Sequence, residues 1–223
     1  MERSTNKYRG ASLIIRLIIS VIGVTIMMSG VAMVTLAGLG TSPISAVIWV
    51  LTLHGGLSFG GWTAVWNLML IVLQLLILRG RFPKSGWWQL AALGVSSLTL
   101  DLWMNVLSWV ETSNYALQLV TLCIGIFLLA LGVSISVTPK LLFMPGEGLV
   151  VAISTVTGWD FSKVKIGNDV TLVVLAVILS FILFGQLEGI REGTVIAAFM
   201  IGTVVGWVTP TVQRIVAKLV PGE

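Results

Sequence analysis

Gly38-Leu-Gly-Thr-Ser-Pro-Ile-Ser45 breaks an otherwise apolar chain, and Leu141-Leu-Phe-Met-Pro-Gly-Glu-Gly148 breaks it again in the second half. Each loop lies between a long apolar helix and a short apolar segment, 43–54 after the first and 146–158 after the second. Neither short segment can cross a hydrocarbon core, which needs about 20 helical residues. The chain therefore reads as two units of one plan, and whatever it binds is expected between them.

Composition fixes the solvent. Of 223 residues, 57% are hydrophobic and 10% charged, with a mean hydropathy of +1.03, more apolar surface than a soluble core of this size hides. Residues 1–223 read as a single transmembrane domain whose first partner is the lipid bilayer. The N-terminus carries Arg3, Lys7 and Arg9 ahead of an apolar run from Leu17 to Leu36. That run exceeds a signal-peptide core of about 7–15 residues, so it is expected to remain as the first spanning helix. The net charge of +4 comes from basic residues scattered among short loops, which speaks for topology signals and against nucleic acid. One cysteine, Cys123, excludes intrachain disulfides and thiolate metal sites.

Spanning helices are predicted at about 13–36, 61–79, 87–109, 116–137, 166–185 and 194–217. If both short segments crossed, Arg79, Arg81 and Lys84 would fall outside, against the positive-inside bias. If both are re-entrant, only Arg191 of the 13 basic residues lies outside, and both termini are cytoplasmic. Trp62, Trp87, Trp88, Trp109 and Trp159 then sit near helix ends as interface anchors.

The halves superpose at an offset of 102 residues, which lays Gly23 on Gly125, Gly30 on Gly132, Pro43 on Pro145 and Phe59 on Phe161. Further along, the offset drifts to about 106, laying Ala91-Ala92 on Ala197-Ala198. Repeat 1 covers about 13–110 and repeat 2 about 115–217. Three crossings per repeat is an odd number, so the second repeat must be inverted. The predicted fold is all-α: six transmembrane helices plus two short re-entrant half-helices in two inverted three-helix repeats, an architecture of transporters and some channels. Non-helical backbone at membrane depth persists only where protein or a polar cavity satisfies it.

The half-helix starts are the natural binding points. Free N–H groups there favour an anion or carboxylate, and Pro43 and Pro145 fit a first helical turn, where a missing N–H costs nothing. Thr41 and Ser42 bring hydroxyls to the first start, or cap it. Gly146 and Gly148 allow close backbone approach at the second. Glu147 is the sharpest residue: an ionisable side chain at membrane depth serves a cation, a coupled proton or the helix start itself. Asp101, with Asn105 one turn on, and Asp169, beside Asn168, are candidate ion or proton sites. Asn67, with Gln74 on the same face, could line the cavity, or these amides could simply join helices. Arg191-Glu192-Gly193-Thr194 opens the last helix as a cap or a gate. Ala198, Gly202 and Gly206 form a small-residue stripe for packing within the fold or across a homodimer. One histidine, His54, and no phosphate-binding or nucleophile motif argue against an enzyme, a cofactor or a metal.

Gly40-Thr-Ser-Pro-Ile-Ser45, Met144-Pro-Gly-Glu-Gly-Leu149, Lys165-Ile-Gly-Asn-Asp-Val170 and Arg191-Glu-Gly-Thr-Val-Ile-Ala-Ala198 together resemble the YczE/YyaS/YitT family of bacterial membrane proteins. The resemblance spans nearly the whole chain and is closest to the short members. The longer YitT-type proteins carry a soluble C-terminal domain, absent from a sequence that ends soon after Lys218. It implies a multi-spanning protein of the bacterial cytoplasmic membrane and adds no substrate. The expected function is a secondary transporter of a small polar or charged solute, bound at the half-helix starts by Thr41, Ser42, Pro43, Asn67, Pro145, Gly146, Glu147 and Gly148. The alternatives are a passive channel with aquaporin-like half-helices and a membrane assembly or regulatory partner that transports nothing.

Overall fold

The computed structural model describes residues 13–110, 113–139, 141 and 144–219. Arg3, Lys7, Arg9, Glu111, Lys140 and the Leu142-Phe143 part of the second broken loop lie outside them. Among the described residues eight α-helices follow in order: α1 (Leu13–Leu36), α2 (Pro43–His54), α3 (Phe59–Leu78), α4 (Trp88–Val106), α5 (Tyr115–Val137), α6 (Pro145–Thr157), α7 (Phe161–Phe184) and α8 (Glu192–Leu219). Short 3-10 turns at Lys84–Trp87 and Ser108–Val110 flank α4, and there is no strand among the described residues.

Local chemistry sets the boundaries. Pro43 and Pro145 occupy the first positions of α2 and α6, where no N–H is needed. The Ser58 hydroxyl accepts from the Gly61 N–H and starts α3 at Phe59, two residues earlier than hydropathy places it. Asn114 does the same for α5 through the N–H groups of Ala116 and Leu117. Gly158, at φ 72°, ends α6 in the left-handed conformation, so α7 begins at Phe161 and takes Lys163 and Lys165 into its first turns.

Among the described residues five helices, α1, α3, α5, α7 and α8, are long and apolar enough to cross a membrane. The sixth predicted span, α4, has 19 residues, but Gln89, Ser96, Ser97, Asp101 and Asn105 make it too polar to qualify on composition.

The core is built on α1 and α5. A Cβ on Gly23 would strike the Ser136 backbone, one on Gly30 the Leu129 backbone, one on Gly125 the Val34 backbone and one on Gly132 the Met27 backbone. Numbering rises along one helix as it falls along the other, so the two run antiparallel with backbones in direct contact, as four small residues at the crossing permit. Replacing each residue by its counterpart 102 positions away converts the Gly23–Ser136 contact into Gly125–Val34 and the Gly30–Leu129 contact into Gly132–Met27.

The same exchange governs most of the remaining packing. α4 lies on α1 and α8 on α5, while α7 holds α2, α3 holds α6, and each short helix touches the long helix that follows it. Val24, Met27, Met28, Val31, Ile48, Phe59, Leu100 and Leu129 form the largest apolar cluster. Ala46, Val47 and Val50 of α2 meet Leu172 and Ala176 of α7 in another, and the His54 ring at the end of α2 stands edge-on to Phe184 at the end of α7, 5.9 Å away.

Candidate functional site

The starts of the two short helices meet. A Cβ on Gly146 would lie 3.8 Å from Cγ2 of Ile44, and these two positions are again counterparts at the 102 offset. The first turns of α2 and α6 are thus in direct contact.

The first start is closed upon itself. The Thr41 hydroxyl shares a hydrogen bond of 2.8 Å with the Thr35 hydroxyl, and the Thr41 N–H donates to Thr194 Oγ1 at 3.1 Å. The Ser42 hydroxyl donates to Ser45 Oγ at 3.0 Å instead of capping the helix. The Gly193 N–H donates to the Leu39 carbonyl at 2.7 Å, and Arg191 donates to the Gly38 carbonyl at 2.9 Å. The Arg191–Thr194 motif is thus the clamp on the first broken loop. Thr41 and Ser42 are buried and their hydroxyls are spent on partners within the chain.

The second start is braced but not satisfied. Gln74 of α3 and Gln89 of α4 exchange two amide hydrogen bonds of 2.9 Å, and Gln74 Nε2 also donates to the Pro145 carbonyl at 3.1 Å. That carbonyl can only accept, so it fixes which end of the Gln74 amide faces α6. Gly148 is glycine because a Cβ would press on Gln74 Oε1 and Gln89 Nε2. Glu147 stands three positions after the N-cap Met144, the place from which a capping box reaches back to the N-cap N–H. Its Oε2 is buried with no hydrogen-bond partner.

Among the described residues, two charges act on Glu147. The Lys165 ammonium grips both Asp169 oxygens at 2.7 and 2.6 Å, and both charges are near enough to act on Glu147. Asp169 is therefore one member of an i,i+4 pair, with about 30% of the Lys165 side chain and 27% of the Asp169 side chain exposed. Asp101 is elsewhere: its Oδ2 accepts from the Ser58 hydroxyl at 2.6 Å and its Oδ1 from the Gly60 N–H at 2.7 Å, so it holds the start of α3. Asn67 is buried on the α3 face that carries Thr63, Leu70 and Gln74. On α3, which packs against α6, the buried Trp66 Nε1 also lacks a partner.

The structure thus gathers Pro43, Pro145, Gly146, Glu147 and Gly148 with Gln74, and sets Lys165 and Asp169 nearby. It separates Asp101 from them and uses Thr41 and Ser42 in the scaffold. The part of Gln89 was not legible, because its partner Gln74 is recognisable only once α3 and α4 fold back on one another. The Lys165–Asp169 spacing was legible as a helical i,i+4 pair. Among the described residues no group of three His, Cys, Asp or Glu is placed to hold a metal.

Comparison with known proteins agrees with a membrane location. Residues 14–210 match the model of DUF6198, a family of unknown function. The "Uncharacterized protein YyaS" of Bacillus subtilis (strain 168) is 27% identical over 194 residues, covering 86% of this chain and 92% of its own length. The "Uncharacterized membrane protein YczE" of the same organism is 26% identical over 194 residues, covering 87% of this chain and 82% of its own. No solved structure gives a significant match.

Proposed function

This chain belongs to the DUF6198 family, whose function is unknown, so its activity has to be argued from its own site, and we propose that it is a secondary transporter of a small polar or charged solute. One observation carries the reading: Glu147 Oε2, buried and unpartnered, lies in the first turn of a short helix whose start abuts the start of another. A lone carboxylate oxygen away from water is expensive, and at membrane depth such groups mark ion and substrate paths. The oxygen is an acceptor, so what completes it is a proton, a cation or the N–H of a solute. The adjoining helix starts supply partial positive charge for an anionic group on the same solute.

The architecture that supports this is a pair of inverted repeats, each with one re-entrant half-helix. The antiparallel α1/α5 crossing and its contacts, which map onto each other at the 102 offset, support the inversion. Basic residues on one side, with Arg191 alone on the other, support α2 and α6 entering and leaving on the same face, with both termini in the cytoplasm. Lys165 and Asp169 then line the cytoplasmic approach to Glu147, and the exposed apolar faces of α7 and α8 meet lipid. In this reading the protein moves its solute without chemical change.

The test begins with purified protein and a panel of amino acids, small amines and organic acids, scanned for thermal stabilisation at pH 5.5 and 7.5, since specific binding raises apparent stability by mass action. A stabilising solute should be taken up into proteoliposomes with saturation, and uptake should respond to a pH gradient and fail in Glu147→Gln. Uptake that Glu147→Gln leaves intact would remove the proposed site.

A further inference from the structure

The most extensive pairing to break the exchange that relates the two halves is that of α3 with α4. α3 packs on α4 along its whole length, from the Gln74–Gln89 amides at one end to Gly60 against Ser97 and Asp101 at the other. Its counterpart, the α7/α8 pair, does not close. The two helices are tied near their loop, where the Ser180 hydroxyl donates to the Gln186 and Glu188 carbonyls at 2.9 and 3.2 Å and accepts from the Glu188 N–H at 2.6 Å. Further along α8 nothing lies within 4 Å of a Cβ on Gly202 or Gly206, and Trp207 is 76% exposed.

The open hairpin nevertheless carries the pieces of a closure. The 106 offset takes Ser97 to Thr203 and Asp101 to Trp207, and the 102 offset takes Ser58 to Asp160 and Phe59 to Phe161. The face of α8 that would receive α7 is made of Gly202, Thr203 and Gly206, small enough for the approach that Gly60 makes to Ser97. An acid and a donor recur with their places reversed, the donor being an indole N–H in place of a hydroxyl. In the closed hairpin an acid on α4 accepts from a hydroxyl before α3. In the open one the acid, Asp160, stands before α7, and the donor, the Trp207 indole N–H, stands on α8. Asp160 gives no side-chain cap to α7 and makes only a 3.6 Å exposed pair with Lys163. Pro210 within α8 has no N–H for the Gly206 carbonyl one turn back, which loosens the helix where α7 would land.

We propose that the two hairpins are alternately closed gates: Asp101 with Ser58 and the Gly60 N–H latches the α3/α4 gate, and Asp160 with the Trp207 indole N–H latches the α7/α8 gate when the first lets go. Halves of one plan packed on a shared α1/α5 axis can exchange conformations, so the structure with α3/α4 closed and α7/α8 open has a partner with the assignments reversed. Access to Glu147 then passes from the face bearing Lys163 and Lys165 to the opposite face. This rests on the two-repeat reading above, but its test needs no transport.

In a Cys123→Ser background, Ser58→Cys with Asp101→Cys should form a disulfide under mild oxidation in native membranes. Asp160→Cys with Trp207→Cys, and separately Phe161→Cys with Thr203→Cys, should cross-link in a minor fraction. Adding Asp101→Leu, which unlatches the first gate, should raise the yield of both α7/α8 pairs several-fold. If the 58/101 pair cross-links and neither α7/α8 pair does, with or without Asp101→Leu, the alternation is wrong. If the α7/α8 pairs cross-link equally with and without Asp101→Leu, the helices touch independently of the first gate and the coupling is wrong. A yield that responds to Asp101→Leu in a protein that moves no solute leaves the gates standing and removes the transporter. Solute uptake with no α7/α8 cross-link does the reverse.

Discussion

Replacing Gln74 and Gln89 by leucine, singly and together, tests the brace behind Glu147 most sharply. Gln74 Nε2 has two protons and three acceptors within reach, the Leu70 carbonyl at 3.3 Å being the most distant. Its protons therefore belong to Gln89 Oε1 and the Pro145 carbonyl. Gln74→Leu strips a partner from three groups: Gln89 Oε1, Gln89 Nε2 and the Pro145 carbonyl. At about 1 kcal/mol for each of the two Gln89 groups left unpaired and for the lost second bond to the Pro145 carbonyl, within the range measured for interhelical bonds in membranes, the cost is about 2–4 kcal/mol. Gln89→Leu strips only the Gln74 amide, which keeps Pro145, and should cost about 1–3 kcal/mol. The double variant leaves no side-chain amide unpaired and takes from the Pro145 carbonyl only its second bond, because the helical one from the Leu149 N–H remains, so it should cost about 1 kcal/mol and must be more stable than Gln74→Leu alone. At roughly 2–4 °C per kcal/mol for a chain of this size, Gln74→Leu should melt about 5–15 °C below the parent and the double variant about 2–4 °C below it. Thermal unfolding in detergent, followed by tryptophan fluorescence, reads all four proteins. A double variant that loses the sum of the two single losses would refute the reciprocal amide pair, and with it the brace on α6.

Other substitutions test the scaffold and the site separately. Glu147→Gln should keep or raise the melting temperature, since it removes a charge from a place where one oxygen has no partner, while ending solute uptake; a fall in both would make Glu147 a structural cap alone. Gly132→Ala should cost about 1–3 kcal/mol by forcing α1 from α5, whereas Gly202→Ala, with open space at its Cβ, should be close to neutral, and equal losses would refute the α1/α5 crossing. Thr194→Val keeps the shape but removes the acceptor of the Thr41 N–H, at a cost of about 1–3 kcal/mol, and Thr194→Ser should restore most of it.

The sequence displayed the helix order because apolar runs and Gly/Pro breaks are local signals. It also displayed the offset linking the halves, and Gly23, Gly30, Gly125 and Gly132, the residues that made the offset visible, are those whose missing side chains let α1 and α5 touch. What it could not display was the partner of each polar residue. Asp101 looked free to bind an ion because Ser58 and Gly60, which hold it, lie more than 40 residues away, and only the fold of α3 on α4 brings them together. Thr41 looked like a ligand for the same reason: Thr194, which takes its N–H, lies in the other half. Residues whose needs are met over long sequence distances look unmet in a linear reading.

Glu147 is where that correction stops. Its counterpart at the 102 offset is Ser45, which accepts from Ser42 and leaves the first helix start complete. Had both starts been finished with hydroxyls, the scaffold would stand with no charge at its centre, and burying a carboxylate there adds nothing to packing. Capping the helix start from this third position is a task that glutamine performs without a charge. Its Oε2, buried beside Lys165 and Asp169 but bonded to neither, has no structural use that a neutral side chain would not serve as well. The asymmetry between Ser45 and Glu147 therefore separates the two broken loops: the first anchors the fold through α8, and the second leaves a buried acceptor unfilled, which is what the proposed solute site rests on.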